Sequence, residues 1–365
     1  ALEQTLSKNK EEHNLKVTLA KMYFSEKQFK KVIEVLTSLN VLPKKPSDYW
    51  PLLAKSYRFN NEAEKAISTY NKWLEQAPQN KDALLTNILV LKKQAKYNEA
   101  LTLSEQLISM TGETVIINGL RAELLLLNGD ITLAKKTFYA LPDKVQELPK
   151  VKGLLGRIQF EEKNYKSALT NLTAAYSENT DSQTSRLVYQ CYERLKQNDN
   201  AASFLLNHLN KQPDDVWALL VLALKQVYTD KSKAIITYQK VIKNNNNIAL
   251  AHNNLAFLIA EQGNLEQAIV HGNKAINLEP ENADYLDTLG KILLDKKRIP
   301  EAVKHLSKAV ENTKGKTPEP IYINYIEALI ADNQLLLAKR KFNGFTFSQT
   351  SKKKLEQLTE KLNTK

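Results

Sequence analysis

Apolar residues in the stretch 249–282 recur at helical spacing and change face once. Leu255, Ala256 and Ile259 share one side of a first helix. Gly263 and Asn264 interrupt it, and Leu265, Ala268, Ile269 and Ala275 share one side of a second helix before Pro280 stops the chain. Two short helices cannot bury their apolar faces alone, so such a unit needs neighbours. The following stretch supplies one. Leu289, Gly290, Leu293, Ala302 and Ala309 repeat Leu255, Ala256, Ile259, Ala268 and Ala275 at an interval of 34 residues.

Carried through the chain, this spacing places the small residue of the second helix at Val32, Ala66, Ala100, Ala134, Ala168, Ala201 or Ala202, Ala234, Ala268, Ala302 and Ala338. That predicts ten helical hairpins. The second is the fullest, with Trp50, Leu53, Ala54, Tyr57, Ala66, Tyr70 and Pro78. These residues resemble the tetratricopeptide repeat (TPR). That family's pattern has a large residue at position 4, Leu at 7, a small residue at 8, Tyr at 11, Ala at 20, an aromatic at 24, Ala at 27 and Pro at 32. The resemblance implies an all-α fold, a right-handed superhelical solenoid of about ten TPR hairpins. At positions 8 and 20 the two helices cross closely, and a larger side chain would wedge them apart.

The same grid sets the predicted organisation. Residues 1–12 read as the end of a preceding repeat, so further repeats are expected before them. Repeats one to seven occupy 13–248, repeats eight to ten 249–344, and a C-terminal capping helix 345–365, with Leu355, Leu358 and Leu362 against many lysines. Some repeats depart from the pattern. Repeat three has Asn87 and Ile88 at positions 7 and 8, repeat four ends in a loop with Pro142 and Pro149, and repeat seven drifts by about a residue. The asparagines at 244–247 read as a loop and a soft joint, because Asn tolerates turn conformations.

Composition changes this picture little. Hydrophobic residues at 42% and charged residues at 25% describe a soluble globular chain, and 10 glycines with 11 prolines suit a chain of helices and short turns. The net charge of +12 is dispersed. Residues 1–248 carry an excess of nine cations and 249–365 an excess of three. Such a surface favours anionic partners. Apolar runs such as 124–127 are far too short to span a membrane, and no signal peptide is visible. With one cysteine, no internal disulfide forms, and Cys191 reads as a buried small hydrophobe.

No catalytic motif appears. Lys314-Gly-Lys-Thr lacks the upstream glycines of a phosphate loop, and Gly-x-Ser-x-Gly and Cys-x-x-Cys are absent. His13, His208, His252, His271 and His305 read as surface residues, with no expected metal site or cofactor. The whole chain is used by the repeats, which predicts a protein that is not an enzyme.

Binding remains. In the TPR fold the first helix of each repeat lines the concave face through positions 2, 5, 9 and 12. Lys21, Lys55, Arg58, Lys92, Arg157 and Arg186 would then give the first six repeats a basic groove, interrupted by Glu123. Asn253, Asn254, Phe257, Asp287 and Lys291 would give repeats eight and nine an amide, aromatic and charged face. The expected partner is a protein or peptide, or an anionic polysaccharide. Nucleic acid fits poorly, because the positive positions alternate with Glu and lack a stacking aromatic series.

The phrases NNLAFLIA at 253–260 and YLDTLG at 285–290 resemble the C-terminal repeats of bacterial envelope TPR proteins. These include the lipoprotein of exopolysaccharide and PEP-CTERM protein-sorting systems. The resemblance implies a non-catalytic scaffold on the periplasmic side, assembling polysaccharide or surface-protein export machinery. The lipid anchor of that lipoprotein is carried by an N-terminal Cys, which would lie in the part of the protein expected before residue 1, so that membrane contact is expected only through such an anchor. A cytoplasmic TPR adaptor or regulator and a polyanion- or RNA-binding solenoid are the alternative functions.

Overall fold

A computed structural model describes residues 13–39, 48–348 and 352–363; the expected half repeat at 1–12 lies outside them. The described residues form 22 helices and no strand. Nine helix starts are set locally by a short polar side chain. Asn80, Thr114, Asp130, Asn164, Asp181, Asp215, Asp230, Asn264 and Asn282 each accept a hydrogen bond from a first-turn backbone N–H.

The chain divides into two compact units between Gln197 and Asn198, inside the sixth predicted repeat. The first unit holds five antiparallel hairpins. They are α1 (His13–Ser25) with α2 (Phe29–Thr37), α3 (Tyr49–Phe59) with α4 (Ala63–Gln76), and α5 (Lys81–Lys93) with α6 (Tyr97–Thr111). Next come α7 (Val115–Leu127) with α8 (Ile131–Tyr139), and α10 (Pro149–Glu161) with α11 (Tyr165–Glu178). The short helix α9 (Asp143–Gln146) fills the irregular loop of repeat four, and α12 (Ser182–Arg194) packs on α11.

The second unit begins with α13 (Asn198–Lys211). Its hairpins are α14 (Val216–Thr229) with α15 (Lys231–Asn244), α16 (Ala249–Glu261) with α17 (Leu265–Leu278), α18 (Ala283–Asp295) with α19 (Ile299–Asn312), and α20 (Glu319–Ala331) with α21 (Leu335–Asn343). A last helix, α22 (Lys352–Asn363), buries Leu358 and Leu362 against α20 and α21. In each unit successive hairpins stack side by side, which makes each an α-solenoid whose core runs between the layers.

The crossing positions close as the spacing requires. Val32, Ala66, Ala100, Ala134, Ala168, Ala201, Ala234, Ala268, Ala302 and Ala338 are all fully buried. Between Ala201 and Ala202, the structure selects Ala201. In three repeats the sizes at positions 8 and 24 are complementary. Gly156 and Gly290 face Leu172 and Leu306, whereas repeat three buries Ile88 at position 8 and Ser104 at position 24.

Nine turns share one conformation. Lys27, Asn61, Ala95, Gly129, Lys163, Lys196, Gly263, Lys297 and Asn333, all at position 15, have positive φ. In each case the following N–H bonds back five residues to a carbonyl of the first helix, as in Asn164 to Gln159 (2.8 Å) and Arg298 to Leu293 (2.9 Å), a Schellman closure. Repeat seven lacks it. Asp230 alone ends α14 and caps α15, so the turn is shorter and the buried small residue of the first helix slides to Ala223. This is the physical source of the one-residue drift.

The asparagine run is a tied turn. Asn244 closes α15 and donates to the Asp214 carbonyl at 3.2 Å, Asn245 accepts from the Asn247 N–H, and Asn246 meets His252.

Candidate functional site

The first helices of successive repeats bring part of the predicted row together. Glu123 on α7 lies 2.8 Å from Lys92 Nζ on α5 and 3.3 Å from Arg157 Nη1 on α10. Burial alone would raise the Glu123 carboxyl, but the bonds to Lys92 and Arg157 outweigh it and hold the group below the ordinary carboxylate range. The side chain that interrupts the row in sequence therefore links its neighbours in space. Two cations share one carboxylate, and the middle of the basic row is partly neutralised.

The other predicted residues of this unit are dispersed. Lys21 pairs with Asp48, Lys55 is half-buried, and the Arg58 guanidinium lies 4.6 Å from the Phe59 ring centroid. Arg186 is exposed on α12. A 390 Å³ cavity beside Arg58 is lined by Phe59, Leu89 and Lys93.

A larger groove of about 760 Å³ opens on the face that carries Glu123 and Arg157. Its walls come from α7, α10, the loop around α9, the end of α11 and the start of α12. Position 5 of both first helices is glycine here, Gly119 and Gly153. A Cβ on Gly119 would meet nothing within 4 Å, whereas one on Gly153 would lie 3.1 Å from the Ala175 Cβ. The missing side chain at 153 thus lets the groove reach Ala175. Ile116 and Leu148 border it at 76% and 52% exposure. Sequence reasoning missed this groove. The signal available was the recurrence of glycine at one inner position, 34 residues apart.

In the second unit, Asn253 is buried on α16, and its Oδ1 has no hydrogen-bond partner among the described residues. Its Nδ2 donates to Asn254 Oδ1 at 3.3 Å, and Asn254 donates to the Tyr238 hydroxyl at 2.8 Å. Phe257 is half exposed. Asp287 accepts from Asn324 Nδ2 at 2.9 Å, and Lys291 pairs with Asp295 at 3.0 Å.

Two histidines depart from the surface positions the sequence suggests. His208 is buried with its Nε2 3.1 Å from Asp215 Oδ2, where the end of α13 meets the start of α14. His252 is buried with Nδ1 3.0 Å from His271 Nδ1, and its Nε2 lies 3.2 Å from the Asn246 carbonyl. Burial lowers the pKa of both His252 and His271, and Lys274 adds to the effect on His252. His208 and His252 lie on helix faces covered by their neighbours, which a charge-based reading of the sequence overlooks. Cys191 is fully buried, and burial pushes its thiol up to about 11, away from thiolate chemistry. Among the described residues no group of three or more His, Cys, Asp or Glu side chains is placed to hold a metal, and no helix is long and apolar enough to cross a membrane.

No family profile matches the chain, and no curated protein matches it. Among solved structures, a crystal structure of MamA protein is 20% identical over 47% of this chain and 94% of its own, with a TM-score of 0.39. The P58(IPK) TPR domain is 16% identical over 87% of this chain and 98% of its own, at 0.32. The APC/C hetero-tetramer Cut9-Hcn1 is 12% identical over 98% of this chain and 92% of its own, at 0.46. The class follows from this chain's own geometry. Each unit is an α-solenoid of two-helix repeats, closed by small residues at the helix crossings. Thirty-four-residue spacing, a buried small residue at position 20 and a left-handed turn at position 15 in nine repeats give it the helical-hairpin fold that the TPR resemblance implies.

Proposed function

We propose that this protein is a non-catalytic scaffold that binds other proteins or peptides along the inner faces of its first helices. The observation that carries the reading is the Lys92–Glu123–Arg157 link. It joins first helices of three successive repeats across one face, beside an open groove. A face assembled from many repeats supplies area without a preformed reaction centre, which is how solenoids bind. Since Glu123 offsets two of the cations, recognition rests on shape and apolar contact as well as on charge.

The finer reading is a place on the periplasmic side of a bacterial envelope, in a polysaccharide or surface-protein export system. It rests on the phrases at 253–260 and 285–290. The test is capture from a bacterial envelope extract at low and high salt. Wild type is compared with a variant carrying Lys55→Glu and Arg58→Glu. Partners lost in the variant, and weakened by salt through screening over about 8 Å at physiological ionic strength, support the reading. Identical capture in every condition overturns the inner-face assignment, and partners drawn only from a cytoplasmic extract overturn the envelope assignment.

A further inference from the structure

We propose that the 390 Å³ cavity at the turn ends of repeats two and three binds a small amphipathic anion, a flat apolar body that carries one carboxylate. This goes beyond the scaffold reading, because the occupant is a small molecule and not a protein segment. Three observations lead there. The first is size and enclosure. The volume lies at the lower end of the range for small-molecule sites, and the walls come from the last turns of α3 and α5 and the turn that opens α4.

The second is apolar surface left in water. Phe59 is 48% and Leu89 41% exposed, and both line the cavity beside the buried Val90. Leu89 stands where the neighbouring repeats carry Lys55 and Glu123. The Phe59 ring is held in place. Phe29 stacks on it at 4.9 Å between centroids, and Phe24 meets it at 6.1 Å with the planes 60° apart. A fixed aromatic wall offers a flat ligand contact area without ordering a mobile side chain.

The third is charge. Among the described residues the charged lining is Arg58 and Lys93, with no carboxylate. Neither cation has an ion pair among the described residues, and the Arg58 guanidinium sits 4.6 Å from the centroid of the Phe59 ring. Two carboxylates close by in sequence are engaged elsewhere, Glu62 by Lys65 and Glu64 by Lys96, each at 2.7 Å. The last carbonyls of α3 and α5 accept from turn N–H groups, as in Glu62 to Tyr57 and Lys96 to Leu91, both at 2.9 Å. The two cations therefore dominate the field in the cavity, and an anionic group next to an apolar body complements it.

The test titrates the full chain by calorimetry with three probes that share one ring system: naphthoate, naphthylmethanol and naphthylmethylammonium. Naphthoate is expected to bind about fivefold tighter than the alcohol, and the ammonium more weakly than either, at low ionic strength. Lys93→Glu changes an exposed residue and is expected to remove the preference for naphthoate over the ammonium. Lys243→Glu, exposed on α15, makes the same change in net charge and is expected to leave all three affinities as in wild type. Leu89→Ser is expected to weaken all three probes severalfold, because it removes an apolar wall and no charge. Equal affinity for the three probes, no binding of any, naphthoate affinity unchanged by Lys93→Glu, or equal losses in Lys93→Glu and Lys243→Glu overturns the proposal. No partner protein enters this experiment, so its failure leaves the scaffold reading standing, and capture that is identical in every condition leaves this site standing.

Discussion

Gly290 and Leu306 compete for one space: a Cβ built on Gly290 would lie 2.5 Å from Leu306 Cγ. Gly156 and Leu172 repeat the relationship in the other unit, at 2.7 Å to Cγ and 3.0 Å to the backbone N of Leu172. Helix propensity favours alanine over glycine by about 1 kcal/mol in a helix interior. Overpacking a closed crossing costs about 1–3 kcal/mol. Packing therefore wins. Gly290→Ala and Gly156→Ala are expected to lower the thermal midpoint, whereas Gly119→Ala, with open space around it, is expected to hold or raise it. Thermal melts followed by circular dichroism separate the three variants, and equal shifts would show that the crossings are loose.

The turns predict an improvement. Ala95 is exposed and sits at φ 56°, where an L-residue with a Cβ is disfavoured. Glycine occupies the same position at Gly129 and Gly263. Ala95→Gly is expected to stabilise the first unit by about 0.5–1 kcal/mol, because relief of the left-handed strain exceeds the added freedom of the unfolded chain. The urea midpoint checks it, and a fall would show that Ala95 is not held left-handed in solution.

His252 and His271 predict a pH dependence. Facing Nδ1 atoms share one proton, so the pair accommodates neutral rings and a single added charge, and Lys274 disfavours that charge. Folded-state values below the unfolded value mean that the unfolded chain binds more protons in acid. The stability contribution is therefore complete above about pH 6.5, the unfolded value, and is lost as pH falls through the lower folded values. Urea midpoints at pH 7.5 and 5.5 should fall more for wild type than for the double substitution His252→Gln, His271→Gln. Parallel falls would remove the pair from the account.

Glu123 predicts a change in surface charge. With Glu123→Gln, Lys92 and Arg157 lose their shared carboxylate and the row of cations becomes continuous. The variant should elute from a heparin column at higher salt than wild type. Unchanged elution would mean that the row does not act as one surface.

These relationships divide into those legible in the sequence and those that were not. Position 20 could be read in nine repeats, and to within one residue in the sixth, because a helix crossing favours a small side chain and each repeat solves the same problem. Position 8 could not be read alone. Ile88 fits because Ser104 is small, a pairing 16 residues apart that no single position reveals. The binding face was legible as a set of positions but not as chemistry. Whether Lys92 and Arg157 are available depends on where the Glu123 carboxylate reaches, and a repeat grid carries no side-chain distances. The burial of His208 beside Asp215 depends likewise on how α13 meets α14. The division at Gln197 and Asn198 falls inside a repeat of ordinary composition, with no glycine, proline or charge run to mark it.

The central claim is that partners bind the first-helix face. Its most direct test is a photo-crosslinking amino acid placed singly at Ile116 on first helix α7, and at Ile236 and Val270 on second helices α15 and α17. The three positions are 76%, 65% and 65% exposed, so accessibility does not decide the outcome. Irradiation of cells followed by mass spectrometry should give a discrete partner adduct from position 116 and none from 236 or 270. Adducts confined to 236 and 270, with none at 116, would contradict the account.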